Sequence, residues 1–265
     1  MDKSGGYLAF PFVAEFYDDT VPYKERQDVQ FFVESSKTSG GKTLELGSGT
    51  GRVLIPTAQA GCEIVGLDLS PRMMDKCRTV LAEEPDEVQA RVSLVEGDMC
   101  NFDLDEQFSL VTMPFRPFQH IETVDEQIQC LQTVHRHLEP GGKLILDLFN
   151  PSLKFLVDDK ALIESGDEPE FTMADGRKVL RRMRVAKRDH FSQVSDVEII
   201  YYVTHPSGKK ERLVHEFRMH YLFRWEAEHL LVRCGFEVDH LYAGYDKSAF
   251  GSKDPGELIF VARKV

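Results

Sequence analysis

The chain is short of the residues and runs that mark several large classes of protein. Its five cysteines, Cys62, Cys77, Cys100, Cys130 and Cys234, form no Cys-x-x-Cys pair and no His/Cys spacing suited to a metal. A disulfide framework and structural zinc are therefore not indicated, and no metal is expected. No apolar run approaches the length that spans a bilayer, and Met1–Gly6 lacks the apolar stretch of a secretory leader. A soluble protein held in a reducing cytoplasm is the expectation. Positive charge is scarce as well: 32 Lys and Arg stand against 44 Asp and Glu, a formal charge of −12. That balance opposes a broad grip on nucleic acid and favours a small-molecule partner. Arg177, Lys178, Arg181, Arg182, Arg184, Lys187 and Arg188 do fall close together. No aromatic residues are interleaved to stack bases, so a solvated strand face is the simpler reading. Internal repeats and low-complexity tracts are also missing.

What is present is enough apolar material, 42% of 265 residues, for a sizeable core. The length suits one α/β domain with an insertion. The most informative stretch is Thr43-Leu44-Glu45-Leu46-Gly47-Ser48-Gly49-Thr50-Gly51-Arg52, a short apolar strand that opens into three glycines spaced two apart. Glycine lets the backbone take positive φ and press against a ligand, and the helix beginning near Arg52 adds free N–H groups. A dinucleotide fingerprint needs glycine three residues after Gly49, where Arg52 stands. Glu63–Leu67 reads as a second strand ending at Asp68, about 20 residues beyond the glycines, where doubly wound folds place a ribose-binding carboxylate. Ser70-Pro71 then opens a helix. Val92–Val95 reads as a third strand running into Gly97-Asp98-Met99, and Phe108–Met113 as a fourth running into Pro114-Phe115-Arg116-Pro117-Phe118-Gln119-His120. A helix from Asp125 to Leu138 carries Ile128, Leu131, Val134 and Leu138 on one stripe, and Pro140 with two glycines marks its end. A fifth strand, Leu144–Phe149, follows.

In order and position these motifs resemble the class I S-adenosylmethionine-dependent methyltransferases, from Tyr17 to Phe149 and again from Trp225. The Asn/Asp-Pro-Pro-Tyr/Phe signature of enzymes that methylate base or amide nitrogens is replaced by Met-Pro-Phe-Arg-Pro-Phe-Gln-His. The chain is thereby more similar to small-molecule enzymes such as glycine N-methyltransferase and the aminosugar N,N-dimethyltransferases. The resemblance implies an α/β fold: a doubly wound seven-stranded methyltransferase sheet with an antiparallel closing hairpin, Phe236–Tyr242 and Glu257–Ala262, plus an inserted antiparallel sheet. It implies N-terminal lid helices (1–40), a cofactor-binding core (41–150), the insertion (151–224) and completion of the core (225–265). Alternation at Val197, Ile199, Tyr201 and Val203 and at Leu213, Phe217, Met219 and Tyr221 gives the insertion three long strands, with a turn at His205–Gly208. Such a sheet shapes a substrate pocket, a homodimer contact, or both.

The cofactor implied is S-adenosyl-L-methionine, held by Tyr17, Arg26, Glu45, Gly47, Ser48, Gly49, Gly51, Arg52, Asp68, Leu69, Met73, Asp98, Met99, Met113 and Pro114. Tyr17, Tyr23 and Arg26 match a lid over its methionine end; alternatively the tyrosines pack on a sheet edge and Arg26 pairs with Asp28 or Glu25. Asp98 is placed to accept from the adenine amine. Glu45, a charge inside an apolar strand, is expected to order the glycine loop. Phe115, Arg116 and Phe118 are the substrate-binding candidates, Arg116 as a clamp for a carboxylate unless a local acid engages it. His120 is the candidate general base, or a structural loop histidine. His215 either projects into the pocket or is a satisfied core histidine. The implied reaction is in-line methyl transfer to N or O of a small metabolite. An idle cofactor-binding regulator and an enzyme acting on a macromolecule stand as alternatives.

Overall fold

The computed structural model describes residues 7–265; Met1–Gly6, where the absence of a leader was read, lie outside the described residues. In chain order the helices are α1 (Pro11–Phe16), α2 (Val21–Lys24), α3 (Val29–Ser39), α4 (Leu54–Gln59), α5 (Pro71–Leu81), α6 (Asp86–Gln89), α7 (Val124–His137), α8 (Leu153–Val157) and α9 (Arg224–Arg233). The strands are β1 (Thr43–Leu46), β2 (Ile64–Asp68), β3 (Val92–Glu96), β4 (Phe108–Met113), β5 (Leu138–Leu148), β6 (Phe171–Thr172), β7 (Lys178–Asp189), β8 (Val194–Thr204), β9 (Lys210–His220), β10 (Phe236–Tyr242) and β11 (Leu258–Lys264). They divide between two compact units: the described residues up to Arg26 with Ser152–His220, and Gln27–Pro151 with Tyr221–Val265. The helix α3 thus groups with the core, and only the segment before Gln27 groups with the insertion.

The second unit holds a seven-stranded sheet in the order β10-β11-β5-β4-β1-β2-β3. Strands β1 to β5 run parallel, while β11 pairs antiparallel with both β5 and β10. Parallel strands covered on both faces must be apolar throughout. Leu44, Leu46, Val65, Leu67, Val111, Leu144 and Leu146 build the core on one face, and Leu110, Ile145, Ile259 and Val261 meet Phe31 and Phe32 of α3 on the other. The helix α7 starts where the Thr123 hydroxyl accepts from the Glu126 N–H and turns Cys130, Leu131 and Val134 into that core. It ends at His137, and here the expectation needs correction. Glu139-Pro140-Gly141-Gly142 is not a break before the fifth strand: β5 starts at Leu138, which pairs with Phe108, and a register shift before Leu110 absorbs the extra residues.

The first unit is built on a four-stranded antiparallel sheet in the order β6-β7-β8-β9. Its three long strands follow the alternation in the sequence; β6, two residues paired with Val179 and Lys178, carries no signal of its own and was not expected. One face bears Val179, Ile199, Tyr201 and Val203, which pack with Phe16 and Phe12 of α1. Among the described residues no helix is long and apolar enough to cross a membrane.

Candidate active site

The site forms where β1, β2 and β4 end. The backbone leaves β1 with Gly47, Gly49 and Gly51 all at positive φ, and the N–H groups of Gly47 and Ser48 both reach the Leu67 carbonyl at 2.8 and 3.2 Å. Glycine is required at Gly47 for a second reason: a Cβ there would lie 2.7 Å from the Pro117 Cβ. The glycine loop is therefore seated directly against the loop that follows β4.

Asp68, the last residue of β2, fixes the next turn. One carboxylate oxygen accepts the Gly49 N–H at 2.8 Å and the other accepts the Ser70 N–H at 2.8 Å. Burial pushes this carboxyl above the usual carboxylate range, against the pull of those N–H donors. The Ser70 hydroxyl in turn caps α5 through the Met73 N–H. One strand further, Gly97 donates to the Asp68 carbonyl, and the Asp98 carboxylate accepts the Cys100 N–H at 3.0 Å, which places Asp98 just past the end of β3.

The loop after β4 is strained. Phe115 and Arg116 hold φ of 62° and 71°, two successive non-glycine residues in the left-handed region. Asp147, fully buried near the end of β5, holds them there: one carboxylate oxygen accepts the Phe115 N–H at 2.9 Å and the Tyr245 hydroxyl at 2.8 Å. Gln119, also buried, accepts the Phe149 N–H at 2.6 Å. The half-buried His120 ends the 3₁₀ turn Pro117–His120 that this network supports.

Of the residues named from sequence, Gly47, Ser48, Gly49, Gly51, Arg52, Asp68, Leu69, Met73, Pro114, Phe115 and Arg116 are gathered around these two loops. Asp98, Met99 and His120 sit on the same strand-end loops or one strand beyond. Several have local partners that the sequence did not show. Arg52 makes a bidentate pair with the buried Asp28 at 2.6 and 2.7 Å and lies 5.5 Å from the Phe115 ring, so Asp28 is engaged by Arg52. Arg116 is held at 2.7 Å by Glu257 and stacks on Phe149, the local engagement left open above. Phe118 needs correction. At 0% exposure it belongs to the core with Leu46, Val111 and Met113, because the 3₁₀ turn folds it back beneath the sheet; Met113, equally buried, supports the site from below. Tyr17 and Arg26 belong to the other unit, where the Tyr17 ring packs 4.8 Å from Tyr23.

Glu45 is 2% exposed, and its carboxyl is pushed up to about 8, first by burial and further by Asp28 and Asp68, with Arg52 opposing. Its neutral form is thereby kept near neutrality, which suits a structural support under the loop. Asp147, Asp28 and Glu257 were missed from sequence. Asp147 carried the same signal that drew attention to Glu45, a charge inside an apolar strand; Asp28 and Glu257 carried none. A separate groove of about 360 Å³ lies on the α3 face, lined by Ser35, Ser39, Ser109, Lys143 and Tyr242, and contains none of these residues.

Comparison with known proteins agrees with this geometry. A family model for a methyltransferase domain matches residues 43–142. The cypemycin N-terminal methyltransferase of a Streptomyces species is 34% identical over 122 residues, 46% of this chain, so the match spans about half (47%) of that relative's length. Among solved structures, the CcbJ methyltransferase from Streptomyces caelestis superposes with a TM-score of 0.75 at 23% identity over 99% of both chains. CalS10, a SAM-bound amino pentose methyltransferase from Micromonospora echinaspora, does so with 0.69 at 21% identity over 94% of this chain and 96% of its own. Residues 43–142 thus match a methyltransferase domain, and the strand order, with the glycine loop locked to Asp68, is similar to that of the class I S-adenosylmethionine-dependent methyltransferases.

Proposed function

We propose that this protein transfers the methyl group of S-adenosylmethionine to a nitrogen or oxygen of a small metabolite in the cytoplasm. One observation carries the reading: the glycine loop, the Asp68 carboxylate and the strained loop ending in His120 converge at one end of the core sheet. The residues fit the cofactor. Gly47, Ser48, Gly49 and Gly51 present backbone with no side chain to hold a nucleoside away, and Asp68, fixed by two N–H groups, keeps lone pairs for ribose hydroxyls. Asp98 is offered to the adenine amine, with Leu69, Met99 and Pro114 as apolar neighbours. Glu45, Met73 and Met113 support these groups from beneath.

When bound, the cofactor supplies a methyl group already activated on a sulfonium sulfur. What remains for the chain is alignment, exclusion of water and removal of a proton from the acceptor. His120 takes that proton in this reading. Phe115, held by Asp147 and stacked on Arg52, forms a fixed apolar wall. A small acceptor is supported by the charge pattern of the insertion. Arg177, Arg181, Arg182 and Arg184 are engaged by Asp175, Glu168, Asp167 and Glu198, which leaves little free positive charge for a nucleic-acid backbone.

Calorimetric titration with S-adenosylhomocysteine tests the cofactor assignment, and heat with no response to NAD is expected. An acceptor panel followed by cofactor consumption separates an enzyme from an idle binding protein. His120→Ala should leave S-adenosylhomocysteine affinity unchanged and lower turnover by about a hundredfold. Unchanged turnover removes His120 from the mechanism.

A further inference from the structure

The groove on the α3 face belongs to the core unit alone, and the reading above does not use it. It holds about 360 Å³, within the range of small-molecule sites, and every residue that lines it falls in Gln27–Pro151 or Tyr221–Val265. Its origin is a mismatch of widths. A helix about 10 Å across covers roughly two strands spaced about 4.8 Å apart. The helix α3 sets Phe31 and Phe32 on Leu110 of β4, Ile145 of β5 and Val261 of β11. The edge strand β10, one position further out, is left beside α3 and not beneath it. Ile145 and Val261 therefore make an apolar floor, with Ser35 and Thr38 of α3 on one side and His240 and Tyr242 of β10 on the other.

The two sides offer different chemistry. The Ser35 hydroxyl donates to the Phe31 carbonyl at 2.7 Å and the Thr38 hydroxyl to the Glu34 carbonyl at 2.9 Å, while Ser109, near the start of β4, donates to Ser39 Oγ at 3.0 Å. With their hydrogens committed, these hydroxyls present lone pairs to the groove. Glu139 and Lys143, in the first part of β5, add charges of opposite sign. On the β10 side the rings of His240 and Tyr242 stack with centres 5.4 Å apart and planes 15° from parallel, which makes a stiff aromatic wall. Among the described residues neither the Lys247 ammonium nor the Tyr242 hydroxyl has a hydrogen-bond partner. Asp246, the acid next to Lys247, is engaged by Lys253 at 2.8 Å and by the Ser248 hydroxyl at 2.6 Å. The register gives the length: Ile259 pairs with both Tyr242 and Asp147, so Tyr242 stands about 13 Å along β5 from Lys143.

We propose that this groove binds a small aromatic acid that carries a hydroxyl at the end opposite its carboxylate. The carboxylate goes to Lys247 and the Tyr242 hydroxyl, because the lone pairs of the α3 side and the charge of Glu139 would repel it. The ring lies on Ile145 and Val261 against the His240–Tyr242 stack. The far hydroxyl donates to the lone pairs of Ser35, Thr38 or Ser109 and accepts from Lys143. A cationic ligand is opposed by Lys143 and Lys247 together. The site is independent of methyl transfer, since none of its residues belongs to the loops around Asp68.

The test is ligand-observed NMR on the full chain with phloretate (para-hydroxyphenylpropionate), its amide, and hydrocinnamate, which lacks the hydroxyl. Phloretate should bind about fivefold more tightly than the amide and about threefold more tightly than hydrocinnamate. Lys247→Gln, at an exposed position, should remove the preference for acid over amide. Ser35→Phe, which fills the groove, should abolish binding with the melting temperature preserved. No binding of phloretate at millimolar concentration, equal binding of phloretate and either analogue, or an acid preference that survives in Lys247→Gln overturns the site. Binding that persists in a folded Ser35→Phe chain does the same; if that chain does not fold, the Lys247→Gln comparison decides alone.

Discussion

The two units hold their functional groups in place by different means. In the core unit positions are set mainly through the backbone: Gly49, Ser70, Cys100 and Phe115 each give an N–H to a carboxylate, and Gly47 is chosen for the space a Cβ would take. In the unit with the inserted sheet, side chain meets side chain, as Arg181 with Glu168, Arg184 with Glu198, and tyrosine on tyrosine. A backbone-built site is tied to one chain path and suits a ligand that never changes. A site built from side chains can be altered one residue at a time while the strands stay paired. The matched family model accords with that contrast, since residues 43–142 fall wholly within the core unit.

Four substitutions sharpen or break the comparison. The largest effect is expected from Phe118→Ala, which empties a fully buried ring position and should cost about 3–5 kcal/mol in urea unfolding. A loss below ~1 kcal/mol would return Phe118 to the list of pocket walls. Asp68→Ala should weaken S-adenosylhomocysteine by about tenfold to a hundredfold in calorimetry, because the glycine loop loses its anchor along with the carboxylate. Glu45→Gln addresses pH. Between the ordinary carboxyl value of 4.5 and about 8, folded Glu45 keeps a proton that the unfolded chain has released. Stability therefore declines as pH rises through that interval, and the variant should flatten the decline; identical pH profiles from chemical denaturation would refute the assignment. The smallest effect is expected in the other unit, where Arg184→Gln removes a partly exposed pair with Glu198 and should cost no more than about 1 kcal/mol in urea unfolding.

Much of the core was legible from sequence because buried parallel strands are apolar runs and their ends are marked by glycine, aspartate and proline. The bounds of β4 and β10 agree with that reading to the residue. The start of β5 was hidden because Pro140 and two glycines, ordinarily breakers, sit beside a register shift. The glycine loop, Asp68 and the loop after β4 could be named in advance, since their chemistry is local. Their partners could not: Arg116 meets Glu257 across 141 positions and Phe115 meets Asp147 across 32. The burial of Arg181 beside Glu168 was invisible for the same reason. In sequence Arg181 is one of seven neighbouring cations, and nothing local separates it from Arg182 or Arg184, whose own side chains are only half-buried.

The paired left-handed residues Phe115 and Arg116 have a consequence for anyone wishing to retune this enzyme. A library randomised at those two positions should be dominated by glycine and asparagine among the folded survivors, with valine, isoleucine and threonine purged, whatever acceptor is selected for. Changes of catalytic taste will have to enter through neighbouring positions whose backbone is relaxed.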